Sequence, residues 1–157
     1  IGKDPQYPKL YPENLMNLFR NADIPITFFE DVNTEIWTKY IFIASFALVT
    51  ATYNKTIGEI VCDEKLTALV KDIMRETLSI ARALKINLPP DIVEKTFSKA
   101  SQFPFETKTS FQRDVELKGR QSEWDLLGGT IIRYAEQFDI PVKTTKDTLG
   151  RLLRDLP

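Results

Sequence analysis

Ile36-Trp37-Thr38-Lys39-Tyr40-Ile41-Phe42-Ile43-Ala44-Ser45-Phe46-Ala47-Leu48-Val49-Thr50-Ala51-Thr52-Tyr53 is the stretch around which this chain is organised. It holds neither Gly nor Pro, and from Tyr40 to Val49 only Ser45 is not apolar. A segment that is apolar nearly all round reads as a helix buried in the middle of a helical domain. The apolar run is shorter than the roughly 20 residues that a bilayer span needs. One charge, Lys39, stands at its leading edge. Such a lysine either snorkels out to water or points into a pocket, where partial burial and a carboxylate partner would tune it for catalysis. The stretch by itself leaves both readings open.

The rest of the composition narrows the classes. At 157 residues the chain is long enough for one domain with a real core and a fragment of a second. Apolar residues make up 43% and charged residues 27%, as in an ordinary soluble globular protein. A net charge of −1 gives no whole-chain drive toward nucleic acid or an anionic membrane, and no basic run is present to build a local one. The one cysteine, Cys62, cannot form an internal disulfide, which fits a reducing, cytoplasmic setting. With no histidine and one cysteine, no metal site is expected. The start, Ile1-Gly2-Lys3-Asp4-Pro5, lacks an initiator Met and reads as a cut from a longer chain.

Outward from the central stretch, capping signatures mark one helix after another. Upstream, Pro12 suits a first helical turn, with Leu15, Met16, Leu18 and Phe19 at helical spacing, and Pro25-Ile26-Thr27-Phe28-Phe29 reads as a short strand. Residues 1–30 therefore look like the tail of a preceding α/β domain, and 31–157 like a helical domain. Asp31, Asn33 and Thr34 can each cap the central helix, expected over about 34–54. Downstream, Thr56-Ile57-Gly58-Glu59 turns into a short element, and Asp63 caps a long helix to Leu84. A helix over about 91–99 comes after Pro89-Pro90. Thr109 with Gln112 three residues on opens another, which Gly119 ends. Ser122-Glu123-Trp124-Asp125 opens a helix to about Phe138, and Thr144 with Asp147 opens the last, to Leu156. The fold class is all-α, a bundle around one buried helix, with a short α/β remnant in front.

Familiar chemical signatures are missing. The glycines at 2, 58, 119, 128, 129 and 150 form neither a dinucleotide-binding fingerprint nor a Walker A loop. Gly128-Gly129, inside an expected helix, reads better as close helix packing than as a ligand's approach to backbone. There remain Lys39, Ser110 and Glu123, polar residues where three helices begin. Singly, Ser110 is an ordinary first-turn serine and Glu123 a glutamate favoured by the helix dipole.

Together they form a pattern: Trp37-Thr38-Lys39, Ile57-Gly58-Glu59-Ile60, Thr109-Ser110-Phe111-Gln112-Arg113-Asp114, and Gly119-Arg120-Gln121-Ser122-Glu123. This resembles the C-terminal domain of the ketopantoate reductases (2-dehydropantoate 2-reductases) over roughly residues 30–157. The resemblance implies a helical domain similar to the C-terminal domain of 6-phosphogluconate dehydrogenase. It also implies reduction of 2-dehydropantoate to pantoate with NADPH, on the way to pantothenate and coenzyme A, in a cleft against an N-terminal Rossmann domain that holds most of the cofactor. Without that domain the chain is expected to be inactive. Lys39 matches the family's catalytic lysine, Glu123 the glutamate near substrate and nicotinamide, and Ser110 the serine that binds the substrate carboxylate.

The chemistry is consistent with those roles. Hydride addition to a ketone builds negative charge on oxygen, and a cation placed there counts for more in the transition state than in the ground state. Two positions depart from the pattern. Ile43 and Ala47, one and two turns after Lys39, stand where many members carry substrate-binding asparagines. An apolar wall there suits a less polar substrate, so reduction of another 2-oxoacid is an alternative. A non-enzymatic helical module that dimerises through its apolar surface is another. No nucleic-acid or membrane partner is expected.

Overall fold

A computed structural model describes residues 1–3, 11–117 and 123–155. The chain divides into two compact units, Ile1–Ile36 and Trp37–Pro157.

In the first unit, the strand expected over 25–29 does not form. Residues 24–28 have no regular structure, and Phe29 makes a single parallel bridge to Gly2. Its N–H donates to the Ile1 carbonyl at 3.0 Å, and its carbonyl accepts from Lys3 N–H at 2.9 Å. Pro25 offers no amide to a ladder. The β-propensity of this stretch expresses itself only against a sheet surface. Helix α1, Glu13–Asn21, starts one residue after Pro12, whose carbonyl accepts from Met16 N–H.

Helix α2, Val32–Tyr53, begins under Asp31, whose Oδ1 accepts from the N–H groups of Asn33 (3.1 Å) and Thr34 (3.3 Å). Of the three candidate caps, Asp31 does the capping. The run from Tyr40 to Val49 is shorter than a bilayer span, but the whole of α2, at 22 residues, is long and apolar enough to cross a membrane. Here Ile41 and residues 44–50 are buried inside the protein instead.

The second unit surrounds α2 with short helices. Helix α3, Ile57–Cys62, has a full capping box. Thr56 Oγ1 accepts from Glu59 N–H, and the Glu59 carboxylate accepts from Thr56 N–H at 2.8 Å. Helix α4, Glu64–Ala83, is capped by Asp63 as expected. Helix α5, Ile92–Ser98, runs into a 3₁₀ turn, Lys99–Gln102, and helix α6, Ser110–Glu116, starts under Thr109. Gly119, read as the end of α6, and Ser122, read as the next cap, lie outside the described residues.

The single α-helix expected from Ser122 to Phe138 is divided in two. Asp125–Gly129 is a π-helical segment, and helix α7 proper covers Thr130–Gln137. Gly128 is packed tightly, since a Cβ there would lie 3.0 Å from Leu149 and 3.3 Å from Leu48. This is the close helix approach read from the glycine pair. Helix α8, Lys143–Asp155, is capped from another helix rather than by its own Thr144. The Glu76 carboxylate of α4 accepts from Thr144 N–H (2.8 Å), Thr145 N–H (2.8 Å) and Thr145 Oγ1 (2.6 Å). A carboxylate at a helix start is favourable for both hydrogen bonding and the dipole.

One contiguous core takes Ile41, Phe46 and Leu48 from α2, Val70, Ile73 and Met74 from α4, Phe111 from α6, Ile131 from α7 and Leu149 from α8. Because the central helix is apolar on most sides, every other helix of this unit can bury its stripe against the same cluster.

Candidate active site

Two faces of this core end at a common pocket of about 310 Å³. Its walls include Phe42, Ile43, Phe46 and Ala47 from α2, and Ser110, Phe111 and Arg113 from α6. Phe103, Thr107 and Lys108 come from the segment between, and Glu123 and Leu127 from the approach to α7. Four of the five residues singled out from sequence, Ile43, Ala47, Ser110 and Glu123, therefore line one cavity.

Lys39, the fifth, is not part of that lining. It is exposed, and among the described residues its ammonium group makes no hydrogen bond or ion pair. The partial burial and carboxylate partner considered for it are absent there. Its place is nevertheless related to the pocket. Lys39, Ile43 and Ala47 are successive i, i+4 positions on one side of α2. Lys39 thus stands one turn beyond the lining, about 6 Å of axial rise away.

The α6 side is held by a chain of hydroxyls. Thr109 Oγ1 accepts from Gln112 N–H at 3.1 Å, and Thr109 and Thr50 oxygens are 2.8 Å apart. Thr50 Oγ1 donates to the Ala47 carbonyl at 3.2 Å. A hydroxyl has one proton, so Thr109 is the donor to Thr50. The chain fixes the start of α6, and with it Ser110, to the α2 turn that carries Ala47. Gln112, only 1% exposed, adds a second tie, donating to Asn54 Oδ1 at 3.2 Å just past the end of α2.

The Glu123 side is held from α2 as well. The Tyr40 hydroxyl shares its one proton between the carbonyls of Leu126 (2.9 Å) and Leu127 (3.1 Å). A π-turn shifts the helical pairing of its carbonyls, and the tyrosine takes up acceptors at this point. Burial pushes the Tyr40 phenol well above its ordinary value, so it stays a donor. Glu123 itself is exposed, and its carbonyl accepts from Leu127 N–H at 2.9 Å. Arg133 and Asp125 pair across the π-segment, and this pairing raises the guanidinium's pKa further.

The third wall is set by close backbone contact. Gly58 N–H donates to the Phe105 carbonyl at 3.0 Å and Ile57 N–H to the Thr107 carbonyl at 2.9 Å. A Cβ on Gly58 would sit 2.6 Å from Phe105 Cα. The Ile57-Gly58 pair of the sequence pattern thus serves the wall that presents Phe103, Thr107 and Lys108. Phe42 stacks on Phe103 at 5.6 Å. Phe42, Phe103 and Lys108 carry no mark in the sequence pattern. Arg113 lies inside it without an assigned role, although its three-residue spacing from Ser110 puts the two on one side of α6.

Comparison with known proteins agrees on one group. The family model described as ketopantoate reductase PanE/ApbA C terminal matches residues 31–156. A 2-dehydropantoate 2-reductase of Mesorhizobium japonicum is 30% identical over 125 residues, 80% of this chain and 37% of that protein. An oxidoreductase of Bacillus subtilis, YkpB, is 27% identical over 121 residues, 77% of this chain and 40% of its own length. Among solved structures, a PanE/ApbA family ketopantoate reductase from Ralstonia eutropha superposes with a TM-score of 0.84 at 25% identity, covering 98% of this chain and 49% of that one. D-mandelate dehydrogenase with NADH and anilino(oxo)acetate shares the fold, with a TM-score of 0.79 at 15% identity over 90% of this chain and 46% of that one. The chain thus spans 37–40% of these curated relatives and less than half of these solved chains.

The class these observations define is an all-α C-terminal domain of the oxidoreductase kind. Within that class, the chain belongs to the ketopantoate reductase family, whose C-terminal domain model it matches over residues 31–156.

Proposed function

We propose that this chain is the substrate side of an NADPH-dependent reductase of 2-oxoacids, with 2-dehydropantoate the first substrate to test because two relatives are named for it. The observation that carries this reading is the convergence of Ser110, Glu123, Ile43 and Ala47 on one pocket, with Lys39 one turn beyond it on the same helix face.

Lys39 acts as a cation and proton donor at the ketone oxygen. Its exposed ammonium group has no competing partner among the described residues and is available to a substrate. As the carbonyl carbon is reduced, negative charge collects on oxygen, and the ammonium stabilises it and passes over one proton. Ser110 contributes a hydroxyl to the carboxylate, and Glu123 orients the reacting end. When bound, reduced nicotinamide supplies the hydride. Of the residues here, Glu123 fits the nicotinamide edge as an exposed acceptor beside the pocket. The chain has no glycine-rich phosphate loop, so the dinucleotide belongs to a preceding domain of which residues 1–30 are the tail.

The test is oxidation of NADPH by the full-length protein with a panel of 2-oxoacids. Turnover that Lys39→Ala reduces by about 10²- to 10⁴-fold, as expected for loss of a general acid, with unchanged thermal stability, supports the assignment. Bound NADPH with no turnover of any 2-oxoacid overturns it.

A further inference from the structure

The pocket has a charge arrangement that the family pattern does not explain. Glu123 contributes a carboxylate to the lining, which repels an anionic substrate. Two cations line the same pocket. The Lys108 ammonium is engaged, donating to Glu116 at 2.7 Å. Arg113 is exposed, and among the described residues its guanidinium makes neither a hydrogen bond nor an ion pair. It sits one turn after Ser110 on the same side of α6. A guanidinium fork matches a carboxylate with two parallel hydrogen bonds, which a serine hydroxyl cannot do alone.

The opposite wall is apolar. Ile43 and Ala47 present only alkyl groups, and Phe42 stacked on Phe103 adds an aromatic surface beside them. A hydroxyl-bearing substituent laid on this α2 face finds no hydrogen-bonding side chain there and loses its water. A ring or a branched alkyl group loses nothing and buries apolar area.

We infer that Arg113, together with Ser110, binds the carboxylate of the substrate, and that the substrate is a 2-oxoacid with a bulky apolar substituent packed on Ile43, Ala47 and the Phe42–Phe103 wall. This rests on the 2-oxoacid reductase reading and adds to it the group that selects the acid and the face that selects the side chain. Arg113 is a binding residue in this scheme and takes no part in proton transfer.

The experiment is steady-state kinetics of the full-length protein at saturating NADPH with three substrates: an aryl 2-oxoacid, a branched aliphatic 2-oxoacid and 2-dehydropantoate. The expected kcat/KM for the aryl or branched acid exceeds that for 2-dehydropantoate by about tenfold or more. Arg113→Ala raises KM for the preferred acid by about 10- to 100-fold with little change in kcat, and Arg113→Lys recovers part of it. The carboxamide analogue of the same acid, a poor substrate at the outset, is not made worse by Arg113→Ala. Ile43→Asn shifts the preference toward 2-dehydropantoate. A protein that prefers 2-dehydropantoate, or an Arg113→Ala variant with unchanged KM, overturns the inference while Lys39-dependent turnover keeps the reductase reading intact. Absence of turnover with all three acids overturns both.

Discussion

The Thr50 and Thr109 hydroxyls lie 2.8 Å apart, joining a fully buried position on the central helix to the cap of the helix that carries Ser110 and Arg113. Thr50→Val keeps the shape and removes the hydroxyl. It should cost about 1–3 kcal/mol in denaturant unfolding, because the Thr109 hydroxyl is left without its buried acceptor. If the proposed 2-oxoacid reductase activity holds for the full-length protein, KM for the oxoacid should rise more than kcat falls, since α6 loses its register on α2. An unchanged KM would show that Thr109 holds α6 without help.

Gly58 is irreplaceable for a reason unrelated to its flexibility. Alanine is the better helix former by about 1 kcal/mol. Its methyl would meet the Phe105 backbone at 2.6 Å. Gly58→Ala should therefore destabilise by about 1–3 kcal/mol and weaken substrate binding, because the 103–108 wall must move. Thermal unfolding and KM measured on the same variant check both effects.

Glu76 holds the start of α8 through three acceptor contacts. Glu76→Gln puts an amide NH₂ where donors already point. A loss of about 1–3 kcal/mol is expected from the unpaired groups, seen as a lower urea midpoint. Hydrogen exchange at Thr144 and Thr145 should speed up more than at α4 amides.

Two titrations contribute to the pH dependence of stability. Hydrogen bonds from Lys55 and from Thr56 N–H hold the Glu59 carboxyl below its ordinary 4.5. The unfolded chain then binds the proton first, so this contribution is complete above about pH 4.5 and is lost as pH falls through the lowered folded value. Glu59→Gln should flatten the acid limb of a stability–pH curve. Tyr40 behaves oppositely: burial raises its phenol above 10.0, so its contribution is complete below about pH 10 and drains away at higher pH. Tyr40→Phe should flatten the alkaline limb.

The helices were largely legible because their signals are local. Asp63, Thr109 and the apolar run of α2 each act within a few residues, and the helices begin where those residues place them. The features that were not legible depend on residues far apart in the chain. Glu76 caps α8 from 68 residues away, and no window around Thr144 contains it. The strand at 25–29 has the right composition, but composition supplies no neighbour to pair with. The same distinction holds for the site. Ser110, Glu123, Ile43 and Ala47 could be picked out by pattern. The aromatic wall of Phe42 and Phe103, and the isolation of Arg113 while Lys108 is paired, emerge only once α2, α6 and the 103–108 segment are brought together.

The π-segment at 125–129 has a consequence for how this region tolerates changes of length. One residue in an α-helix corresponds to about 100° of rotation, and a π-turn absorbs one residue without passing that rotation on to the helix beyond it. Residues 125–129 therefore work as a phase buffer: the extra residue is absorbed there, and Ile131 and Ala135 keep their inward bearing. Deleting one residue within 125–129 would turn the buffer into regular helix, with α7 still seated and Glu123 keeping its bearing at the pocket.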